Sequence, residues 1–509
     1  MDVTQILMLI TILVYLAAMV GIGAVLAKQN QTTDDFYLGG RTLGPLVTAM
    51  SAEASDMSSW LLMGLPGVAY LSGTADAAWT AIGLAIGTYV NWLVVAKRLR
   101  NYTHVCGNST TLPLFFSNRY RDNKRILSVI AALLIIIFFV PYTASGFAAC
   151  GKLFANLFGM DYLPATLISA IVIVAYTTLG GFLAASTTDF VQSIVMTIAI
   201  VVVFGFGISK VGSFSAVMDN AKSMAGYFSL THTHDVATGT ASPYSLLQIF
   251  STLAWGLGYF GMPHVLLRFM AIGDANKLKL SRRVATVWVV ISMAVSVFIG
   301  VIGNAMTKAG VLPTLKDPET IILVVADLIS KHGVLATIIA GLILAGILAA
   351  TMSTADSQLL AASSSASQNI LKEVFMKDMS EKTGMLIARI TVLVIALIGV
   401  FIARNPDSSV FQIVSFAWAG FGASFGPLVL LALFWKRSTF QGALCGMVSG
   451  GVMVFVWKFL IRPMGGALGI YELLPAFLLG LAVNVIVSLL TPAPSREVQD
   501  EFDKVASMK

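Results

Sequence analysis

The chain has 509 residues, of which 57% are hydrophobic and only 11% are charged, with a formal net charge of +7. Because a soluble domain carries about 25% charged residues, this composition excludes a soluble globular protein and predicts a polytopic membrane protein. The positive charge lies between apolar segments, so it reports membrane orientation and does not indicate nucleic-acid binding. The three cysteines form no disulfide or metal-binding pattern.

Apolar segments long enough to cross a bilayer occupy nearly the whole chain. A spanning helix needs about 20 mostly apolar residues, and about 13 such segments are predicted. They lie at 6–27, 45–71, 75–96, 126–157, 161–180, 187–209, 244–272, 283–306, 333–366, 384–403, 409–434, 439–461 and 471–491. We expect the first to be a retained span, because it lacks the basic residues that precede the apolar core of a signal peptide. A short tail, 492–509, follows the last.

Lysine and arginine concentrate in the connections that follow odd-numbered spans, such as 97–125 and 277–283. Because cytoplasmic loops carry an excess of these residues, we predict that the N-terminus is outside and the C-terminal tail is cytoplasmic. The longest outside connection, 211–242, is expected to be a partly helical cap or a flexible loop. We expect His232 and His234 in it to be solvated and not to bind metal.

The second span carries two acids, Glu53 and Asp56, near its middle, several serines, and a Pro66–Gly67 break. An ionisable group at the bilayer centre costs about 2.5–3.5 kcal/mol on insertion scales, so it indicates a functional site. Serines and helix-breaking residues together predict a span that unwinds midway. Its exposed carbonyls could bind a cation, and the restarting helix could bind an anion. The alternative is that the serines bond to their own helix and the acids pair with a neighbour.

The seventh span contains Trp255-Gly-Leu-Gly-Tyr-Phe-Gly-Met-Pro-His264. Glycine costs about 1 kcal/mol and proline about 3 kcal/mol inside a helix, so this stretch is a weak helix. Interrupted apolar segments at corresponding positions of two halves indicate a transporter binding site. We therefore predict an all-α fold with two inverted five-helix repeats, 45–209 and 244–434, one span before them and two after, 439–491. The alternative for the glycines is close helix packing alone.

The ninth span ends with Ala350-Thr-Met-Ser353-Thr354-Ala-Asp356. The hydroxyls of Ser353 and Thr354 can serve as oxygen ligands, and carbonyls from an unwound second span would complete a site for a small hard cation. The alternative is that both hydroxyls bond to carbonyls of their own helix, as is common in membrane helices.

Five stretches carry a resemblance to a known family. They are SAEASDMSSWLLMGLPG at 51–67, TTLGGFLAASTTDFVQ at 177–192, WGLGYFGMPHVLLRFMA at 255–271, AATMSTADSQLL at 349–360 and AWAGFGASFGPLVLL at 417–431. The chain resembles the sodium:solute symporter family, and most specifically its bacterial proline-transporting members. The resemblance implies the LeuT-type inverted five-plus-five fold in the bacterial inner membrane. It also implies import of L-proline with sodium by alternating access, with no enzyme activity, no cofactor besides sodium, and no obligate protein partner.

The resemblance also implies roles for individual residues. The sodium ligands would be the carbonyls of Ala54, Met57 and Ala350 and the hydroxyls of Ser353 and Thr354. The proline pocket would include Ser58, Tyr142, Trp255, Tyr259 and Pro263, while Asp56 and Asp189 would take part in ion coupling. For Asp189, a pairing or packing role is an equal alternative. Two positions depart from the family pattern: Glu53 replaces glycine and Asp356 replaces serine. Both add negative charge near the ion site, which leaves sodium stoichiometry and proton involvement open.

The substrate carboxylate is expected near Ser58 and Ser59, because a helix N-terminus suits an anion and this span contains no lysine or arginine. Other functions remain as alternatives. A symporter of another amino acid, a carboxylate or a sugar is closest, although a sugar pocket would need more amide and charged groups than aromatic, glycine and proline residues supply. A channel would show repeated polar rings. An enzyme would show a catalytic motif in the spans.

Overall fold

The computed structural model describes residues 2–28, 32–376, 379–407 and 409–508. Within these residues the chain is a helical bundle with one β-hairpin. The helices are α1 Val3–Ala27, α2 Thr33–Leu38, α3 Pro45–Ser59, α4 Leu65–Ser72, α5 Thr74–Val90, α6 Ala96–Val105, α7 Leu112–Arg119, α8 Ile126–Phe158, α9 Tyr162–Val211, α10 Phe214–Ser223, α11 Leu246–Leu253, α12 Pro263–Ala271, α13 Leu278–Lys308, α14 Ile321–Ser330, α15 Val334–Ser364, α16 Glu381–Ile402, α17 Val410–Phe434, α18 Phe440–Val456, α19 Leu473–Leu490 and α20 Arg496–Ser507.

Shorter segments join these helices. Four have π geometry: Trp60–Gly64, Asn91–Val95, Ser365–Phe375 and Trp457–Ile461. Six have 3-10 geometry: Gly39–Arg41, Ala254–Gly261, Ala275–Lys277, Pro318–Thr320, Arg462–Met464 and Gly466–Gly469. The hairpin consists of β1 His232–Asp235 and β2 Thr240–Pro243, which pair antiparallel.

Every predicted span coincides with helical structure. In the described part of the chain, ten helices are long and apolar enough to cross a membrane, and a shorter apolar helix covers Tyr162–Ala175. The second and seventh predicted spans are built from broken helices, α3 with α4 and α11 with α12. The all-helical, multi-pass architecture is confirmed, while the count of about thirteen spans stays a prediction.

The predicted fifth and sixth spans form one element, α9, with a sharp break. At Gly181 the backbone has φ 64° and ψ −172°, a conformation that glycine adopts without a Cβ penalty. The sequence predicted a gap between residues 180 and 187. In the structure a single glycine turns the chain, so the two helices follow each other almost directly.

Both predicted interruptions are present, but the one in the second span lies at Ser58 and not at Pro66–Gly67, where Pro66 falls in the first turn of α4. In the second span, Ser58 has φ 48° and ψ −174°, a strained conformation for a residue with a side chain. In the seventh span, the 3-10 segment Ala254–Gly261 ends at extended Met262, and Pro263 begins α12. Proline suits the first turn of a helix because no amide is needed there.

The glycines of the seventh span also permit close helix packing. Gly256 lies against Gly83 and Gly87 of α5, so close that a Cβ on any of the three would collide with the opposite backbone. The two interpretations of this stretch, a broken helix and a tight helix contact, therefore both hold.

The connection after α9 contains α10 and the hairpin. His234 contacts the Ala225 carbonyl through Nδ1 at 2.9 Å. The backbone amides of Ala237 and Thr238 donate to the Asp235 carboxylate and lower its pKa. Among the described residues, no three or more His, Cys, Asp or Glu side chains form a group that could hold a metal ion. The expected connection, a partly helical cap or a flexible loop, contains the helix α10, while the hairpin was not predicted.

The predicted tail forms α20, an amphipathic helix docked on the bundle. Its buried face includes Phe502. The guanidinium groups of Arg98 and Arg119 lie 4.9 and 5.4 Å from the centre of that ring. Arg121 forms ion pairs with Glu497 at 3.1 Å and with Glu501 at 2.8 Å. The segment Arg496–Ser507 is therefore packed onto the bundle.

Candidate functional site

The break in α3 lies against α15, and the two elements meet at Ser353. Ser353 Oγ lies 2.8 Å from the Ala54 carbonyl of α3 and 3.3 Å from the Ala350 carbonyl of its own helix. Thr354 Oγ1 donates to the same Ala350 carbonyl at 3.1 Å. Four of the five predicted sodium ligands are thus joined by hydrogen bonds. All four are buried.

The fifth predicted ligand, Met57, lies directly before the break. Its carbonyl accepts a hydrogen bond from the Trp60 amide. The hydroxyls of Ser353 and Thr354 do bond to their own helix, as the alternative interpretation requires. Because Ser353 also reaches Ala54 on another helix, helix-internal bonding alone does not account for its position.

Two tyrosines converge on Asp56 from different helices. Tyr259, in the broken seventh span, donates its hydroxyl to Asp56 Oδ2 at 2.6 Å. Tyr142 of α8 donates to the Asp56 backbone carbonyl at 3.0 Å. Asp56 Oδ1 is buried and has no hydrogen-bond partner within the described residues. The interruptions of the two repeats therefore meet at this acid.

A small cavity joins the predicted ion and substrate residues. Its volume is about 10 Å³, room for roughly one water molecule. Four of the predicted site residues line it: Ser58, Ser59, Tyr142 and Thr354. The Ser58 side chain accepts from the Trp60 amide at 3.1 Å, whereas Ser59 Oγ has no partner within the described residues. One predicted sodium ligand, Thr354, and three predicted substrate residues, Ser58, Ser59 and Tyr142, therefore border the same cavity.

Trp255 belongs to an aromatic cluster on the other side of the break. Its ring centre lies 5.1 Å from that of Tyr471, 5.5 Å from that of Trp60 and 5.5 Å from that of Phe411. The Trp255 carbonyl accepts from Trp418 Nε1 at 2.8 Å. These contacts hold one face of the seventh span against α17 and the π turn after Ser59. Pro263, also buried, lies at the start of α12 and not in this cluster.

Asp189 lies in a separate buried cluster with Arg268. Arg268 Nη2 donates to Asp189 Oδ2 at 3.1 Å, and Ser51 Oγ donates to the same oxygen at 2.7 Å. Arg268 also donates to Ser357 Oγ at 2.5 Å. Ser357 Oγ is 3.0 Å from the carbonyl of Ser353, so a short chain of hydrogen-bonding groups links this cluster to the predicted ion site.

Glu53 and Asp356, the two acids at which the resemblance implies a departure from the family pattern, are both buried. Glu53 Oε1 accepts from Trp92 Nε1 at 2.8 Å, and Asp356 Oδ1 accepts from Ser357 Oγ at 3.1 Å. In the part of the chain that the structure describes, the second oxygen of each carboxylate has no hydrogen-bond partner. Each of these two acids therefore adds a buried carboxylate with one hydrogen-bonded oxygen and one oxygen without a partner in the described residues.

Sequence reasoning missed Arg268 and Glu319. The signal for Arg268 was an arginine inside an apolar span, because a charge at that position needs a partner of opposite charge. Glu319 accepts hydrogen bonds from Ser409 Oγ at 2.8 Å and from the amide of Phe411 at 3.0 Å. It also pairs with Lys152 of α8 at 2.9 Å. This carboxylate ties the turn before α14 to the start of α17, beside the aromatic cluster.

Gln358 was also missed. Its Oε1 accepts from Thr143 Oγ1 at 3.1 Å, and both residues line the small cavity. Gln358 Nε2 is buried without a partner in the described residues. The signal was its place one turn after Thr354 on the same helix.

Two broken helices, one from each half, whose interruptions meet at a buried carboxylate within a multi-pass bundle, define a secondary transporter. The sequence pattern of the Sodium:solute symporter family matches residues 36–450. The chain belongs to this family.

Related sequences of similar length are transporters. The chain is 41% identical over 502 residues to a sodium/proline symporter of Salmonella typhimurium, with 98% of this chain and 96% of the other covered. It is 42% identical over 482 residues to a high-affinity proline transporter of Bacillus subtilis, with 95% and 98% covered. It is 40% identical over 489 residues to an osmoregulated proline transporter of the same species, with 96% of each covered.

Solved structures share the fold at low sequence identity. A substrate-bound, outward-open Na⁺-coupled sialic acid symporter superimposes with a TM-score of 0.78 at 18% identity, covering 96% of this chain and 99% of the other. The nucleobase-cation-symport-1 transporter Mhp1, closed with bromovinylhydantoin bound, superimposes with a TM-score of 0.54 at 14% identity, covering 92% and 98%. The predicted LeuT-type class, an inverted five-plus-five repeat, is confirmed.

Proposed function

We propose that this protein imports L-proline across the bacterial inner membrane, driven by the sodium gradient through alternating access. The observation that carries the proposal is the meeting of both repeats at the break of α3, where Ser353 reaches Ala54 and Tyr259 reaches Asp56. Three relatives of at least 40% identity, named as proline transporters, support proline as the solute.

Sodium would be bound by the carbonyls of Ala54, Met57 and Ala350 and the hydroxyls of Ser353 and Thr354. Sodium is a small hard cation that prefers oxygen ligands, and all five groups are uncharged oxygens. Binding would replace the hydrogen bonds that Ser353 and Thr354 now make to carbonyls. The ion would therefore hold the broken helix of the first repeat against α15 of the second.

Proline would lie beside the same break. Ser58, Ser59 and Tyr142 already line one small cavity with Thr354, while Trp255, Tyr259 and Pro263 lie on the broken seventh span and would enclose the ring. With room for about one water, the cavity must widen to admit proline. A movement of α3 and the seventh span relative to each other, as alternating access requires, would provide that space.

Asp56 and Asp189 would couple the ion to this movement. Asp56 lies in the broken helix α3, which would bind sodium, and accepts a hydrogen bond from Tyr259, which would contact proline. Its position would therefore respond to both the ion and the solute. Asp189 is linked to the ion site through Arg268, Ser357 and Ser353. The chain would act as one transport unit, with 6–27 before the repeats and 439–491 after them.

The test is proline uptake into vesicles containing the purified protein. We expect uptake to require an inward sodium gradient and to stop when choline replaces sodium. Uptake that continued unchanged without sodium, at both acidic and neutral pH, would show that the coupling ion is wrong. If the vesicles took up another small amino acid, a carboxylate or a sugar in place of proline, the proposed sodium site would stand and only the proposed solute would be wrong.

Orientation is a separate part of the proposal. The N-terminus would be outside and α20 inside, as the distribution of lysine and arginine indicates. The test uses single cysteines at Thr238 in the hairpin turn and at Lys504 in α20, in a Cys445→Ser background. In intact cells an impermeant thiol reagent should label the cysteine at Thr238, and it should label the cysteine at Lys504 only after the membrane is opened. Labelling of both from outside would contradict this orientation.

A further inference from the structure

The small cavity beside the break of α3 is lined by uncharged residues from three elements. They come from the end of α3, the middle of α8 and the second half of α15. The lining consists of Ser58, Ser59, Tyr142, Thr143, Ser145, Gly146, Thr351, Thr354, Ala355 and Gln358. A solute group that enters this cavity therefore meets hydrogen-bonding groups and helix ends, and not a charged side chain.

Most polar side chains of this cavity already have hydrogen-bond partners. The hydroxyls of Ser145, Thr351 and Thr354 donate to carbonyls of their own helices, at 2.6, 2.9 and 3.1 Å. Ser58 and Tyr142 bond to backbone groups of α3 and of the turn after it. These five side chains therefore have their bonds within the protein.

Two lining groups have no hydrogen-bond partner within the described residues, Ser59 Oγ and Gln358 Nε2. Both residues are 0% exposed. The Gln358 amide nitrogen carries two donors and no acceptor, and the Ser59 hydroxyl can also donate. Because buried polar groups are nearly always paired in native proteins, two unpaired donors beside one cavity indicate a ligand that accepts hydrogen bonds.

Thr143 sets the direction of the Gln358 amide. Thr143 Oγ1 of α8 donates to Gln358 Oε1 of α15 at 3.1 Å. This bond engages the acceptor end of the amide and leaves the donor end for the cavity. On the opposite wall, Ser59 lies where the chain resumes a helix after Ser58, and a restarting helix presents free N–H groups and about half a positive charge to an anion.

We infer that Gln358 is a specificity-determining residue, whose Nε2 donates to the carboxylate of the transported amino acid opposite the helix that restarts at Ser59. Thr143 is the positioning residue that holds the amide in this orientation. Gln358 then contacts proline itself, an assignment that rests on the proposed function. Because the cavity has room for about one water, it widens in the same movement that admits the rest of the solute.

This contact links the solute to the sodium site. Gln358 lies one turn after Thr354 on α15, and Ser59 lies two residues after Met57 on α3. Sodium and the carboxylate therefore each bridge the same two helices. Whichever binds first restrains both helices for the other, so the two bind cooperatively.

The experiment measures the dissociation constants of proline and of proline amide by isothermal titration calorimetry, on the purified full chain at saturating sodium. Proline amide keeps the ring and the amine but has no negative charge. Gln358→Met keeps the length of the side chain and removes its donors. We expect it to weaken proline binding about 10- to 100-fold and proline amide binding about 2- to 10-fold, because hydrogen bonds to charged groups are the stronger ones.

Gln358→Glu separates recognition from packing. It places a negative charge against the carboxylate of proline, whereas the amide nitrogen of proline amide can donate to it. We expect this variant to bind proline amide more tightly than proline, the reverse of the wild-type preference. A loss of packing alone would weaken both compounds and would not reverse their order.

Thr143→Val tests the positioning role, because it removes the hydroxyl with little change in volume. It should reduce the preference for proline over proline amide in the wild-type chain. It should cause no further reduction in the Gln358→Met chain, since Thr143 acts through Gln358.

The matched control is Gln192→Met. Gln192 is another glutamine with 0% exposure, and it lies on α9, away from the lining of the cavity. Its Nε2 bonds to the Tyr15 hydroxyl at 3.2 Å, and its Oε1 has no partner in the part of the chain that the structure describes. This variant removes a comparable buried amide and should keep the wild-type preference for proline.

An equal loss of affinity for proline and proline amide in Gln358→Met, or a retained preference for proline in Gln358→Glu, would overturn the assignment. The Gln358 amide would then bond only to water in the cavity. Thermal unfolding midpoints establish that each variant is folded, and if Gln358→Met is not, Gln358→Glu and Thr143→Val decide. Failure of the proposed function is distinct, because wild type would then not bind proline in sodium, whereas failure here leaves wild-type binding intact and is seen only in the variants.

Discussion

Ser353 and Ala54, 299 positions apart in the chain, are joined by a hydrogen bond of 2.8 Å from the serine hydroxyl to the alanine carbonyl. The carbonyl belongs to a helix that breaks four residues later, at Ser58. The hydroxyl belongs to the long α15 of the other repeat. One bond therefore connects the two halves at the point where backbone carbonyls are close to an interruption.

Removing either hydroxyl from this junction should weaken sodium binding. We expect Ser353→Ala and Thr354→Ala to raise the sodium concentration for half-maximal proline uptake. A lost ligand in a buried polar site costs about 1–3 kcal/mol, or roughly 5- to 150-fold. The measurement is uptake at fixed proline over a sodium titration, normalised to the amount of protein in the membrane.

Ser365→Ala is the matched control, because Ser365 is a buried serine on the segment that continues α15, and its hydroxyl donates to the Ala361 carbonyl of the same helix at 2.9 Å. It should leave the sodium dependence unchanged. If Ser353→Ala and Thr354→Ala behaved like this control, helix-internal bonding would be the sole role of both hydroxyls, and the proposed sodium site would be wrong.

The broken helices could be predicted from sequence because their cause is local. In the second span the signals were several serines and the Pro66–Gly67 pair, and in the seventh span they were three glycines and Pro263. Glycine and proline weaken a helix whatever surrounds them. The repeat boundaries, 45–209 and 244–434, come from counting spans and stay a prediction. The all-helical class, the inverted repeat and the meeting of Ser353 with the second span were all predictable on this basis.

Other features depend on partners distant in sequence. Arg268 and Asp189 lie 79 residues apart, and nothing local to either residue specifies the other. The hairpin at 232–243 lies in a polar stretch without alternating apolar residues, so no pattern in the sequence predicted its strands. By contrast, α20 could have been found, since Val498, Phe502 and Val505 follow a helical period.

Trp255 and Tyr259, which are proposed to enclose the pyrrolidine ring, should contribute to proline affinity. Trp255→Ala and Tyr259→Ala should each weaken proline binding at saturating sodium by about 1–2 kcal/mol, or about 5- to 30-fold, because burial of apolar ring surface contributes about 25 cal/mol per Å². Isothermal titration calorimetry of the purified protein measures this. Tyr259→Phe separates the ring from the hydroxyl that contacts Asp56. Affinities equal to wild type in both alanine variants would place the pocket elsewhere.

The Arg268–Asp189 pair should show strong coupling. Arg268→Gln leaves a buried carboxylate unpaired and Asp189→Asn leaves a buried guanidinium unpaired, and breaking a buried pair costs about 3–5 kcal/mol. We expect the two single variants to lower the thermal unfolding midpoint by amounts whose sum exceeds the decrease in the Arg268→Gln/Asp189→Asn double variant. Strictly additive shifts would mean that the 3.1 Å contact is energetically unimportant.

The same cycle distinguishes a structural role from a role in coupling. Because Ser357 connects the pair to the Ser353 carbonyl, the single variants should also raise the sodium concentration for half-maximal uptake. Ser357→Ala, which removes the connecting hydroxyl but leaves both charges paired, should share this effect on sodium with little loss of stability. Normal sodium dependence in Ser357→Ala would confine Asp189 to packing.

Recognition of the substrate carboxylate is the most mechanistic expectation. The chain restarts as a helix after Ser58, and Ser59 Oγ is a buried hydroxyl without a partner in the described residues. A helix N-terminus carries about half a positive charge, and Pro45–Ser72 contains no lysine or arginine that could bind the anion instead. If the Ala54 and Met57 carbonyls bind sodium on the preceding turn, ion and carboxylate share one short backbone segment. Sodium would then order the turn that proline needs, and by reciprocity proline would tighten sodium by the same factor.

Proline amide, which keeps the pyrrolidine ring and the amine but lacks the negative charge, should therefore compete poorly with labelled proline. Azetidine-2-carboxylic acid, which keeps the carboxylate on a smaller ring, should compete better than the amide, because the charge interaction is retained and only apolar contact is reduced. Both competitions are measured with and without sodium, and the preference for the carboxylate should increase when sodium is present, since the ion orders the binding turn. Equal competition by proline amide and proline in sodium would show that the helix terminus does not recognise the carboxylate, and recognition would then have to come from contacts with the ring and the amine.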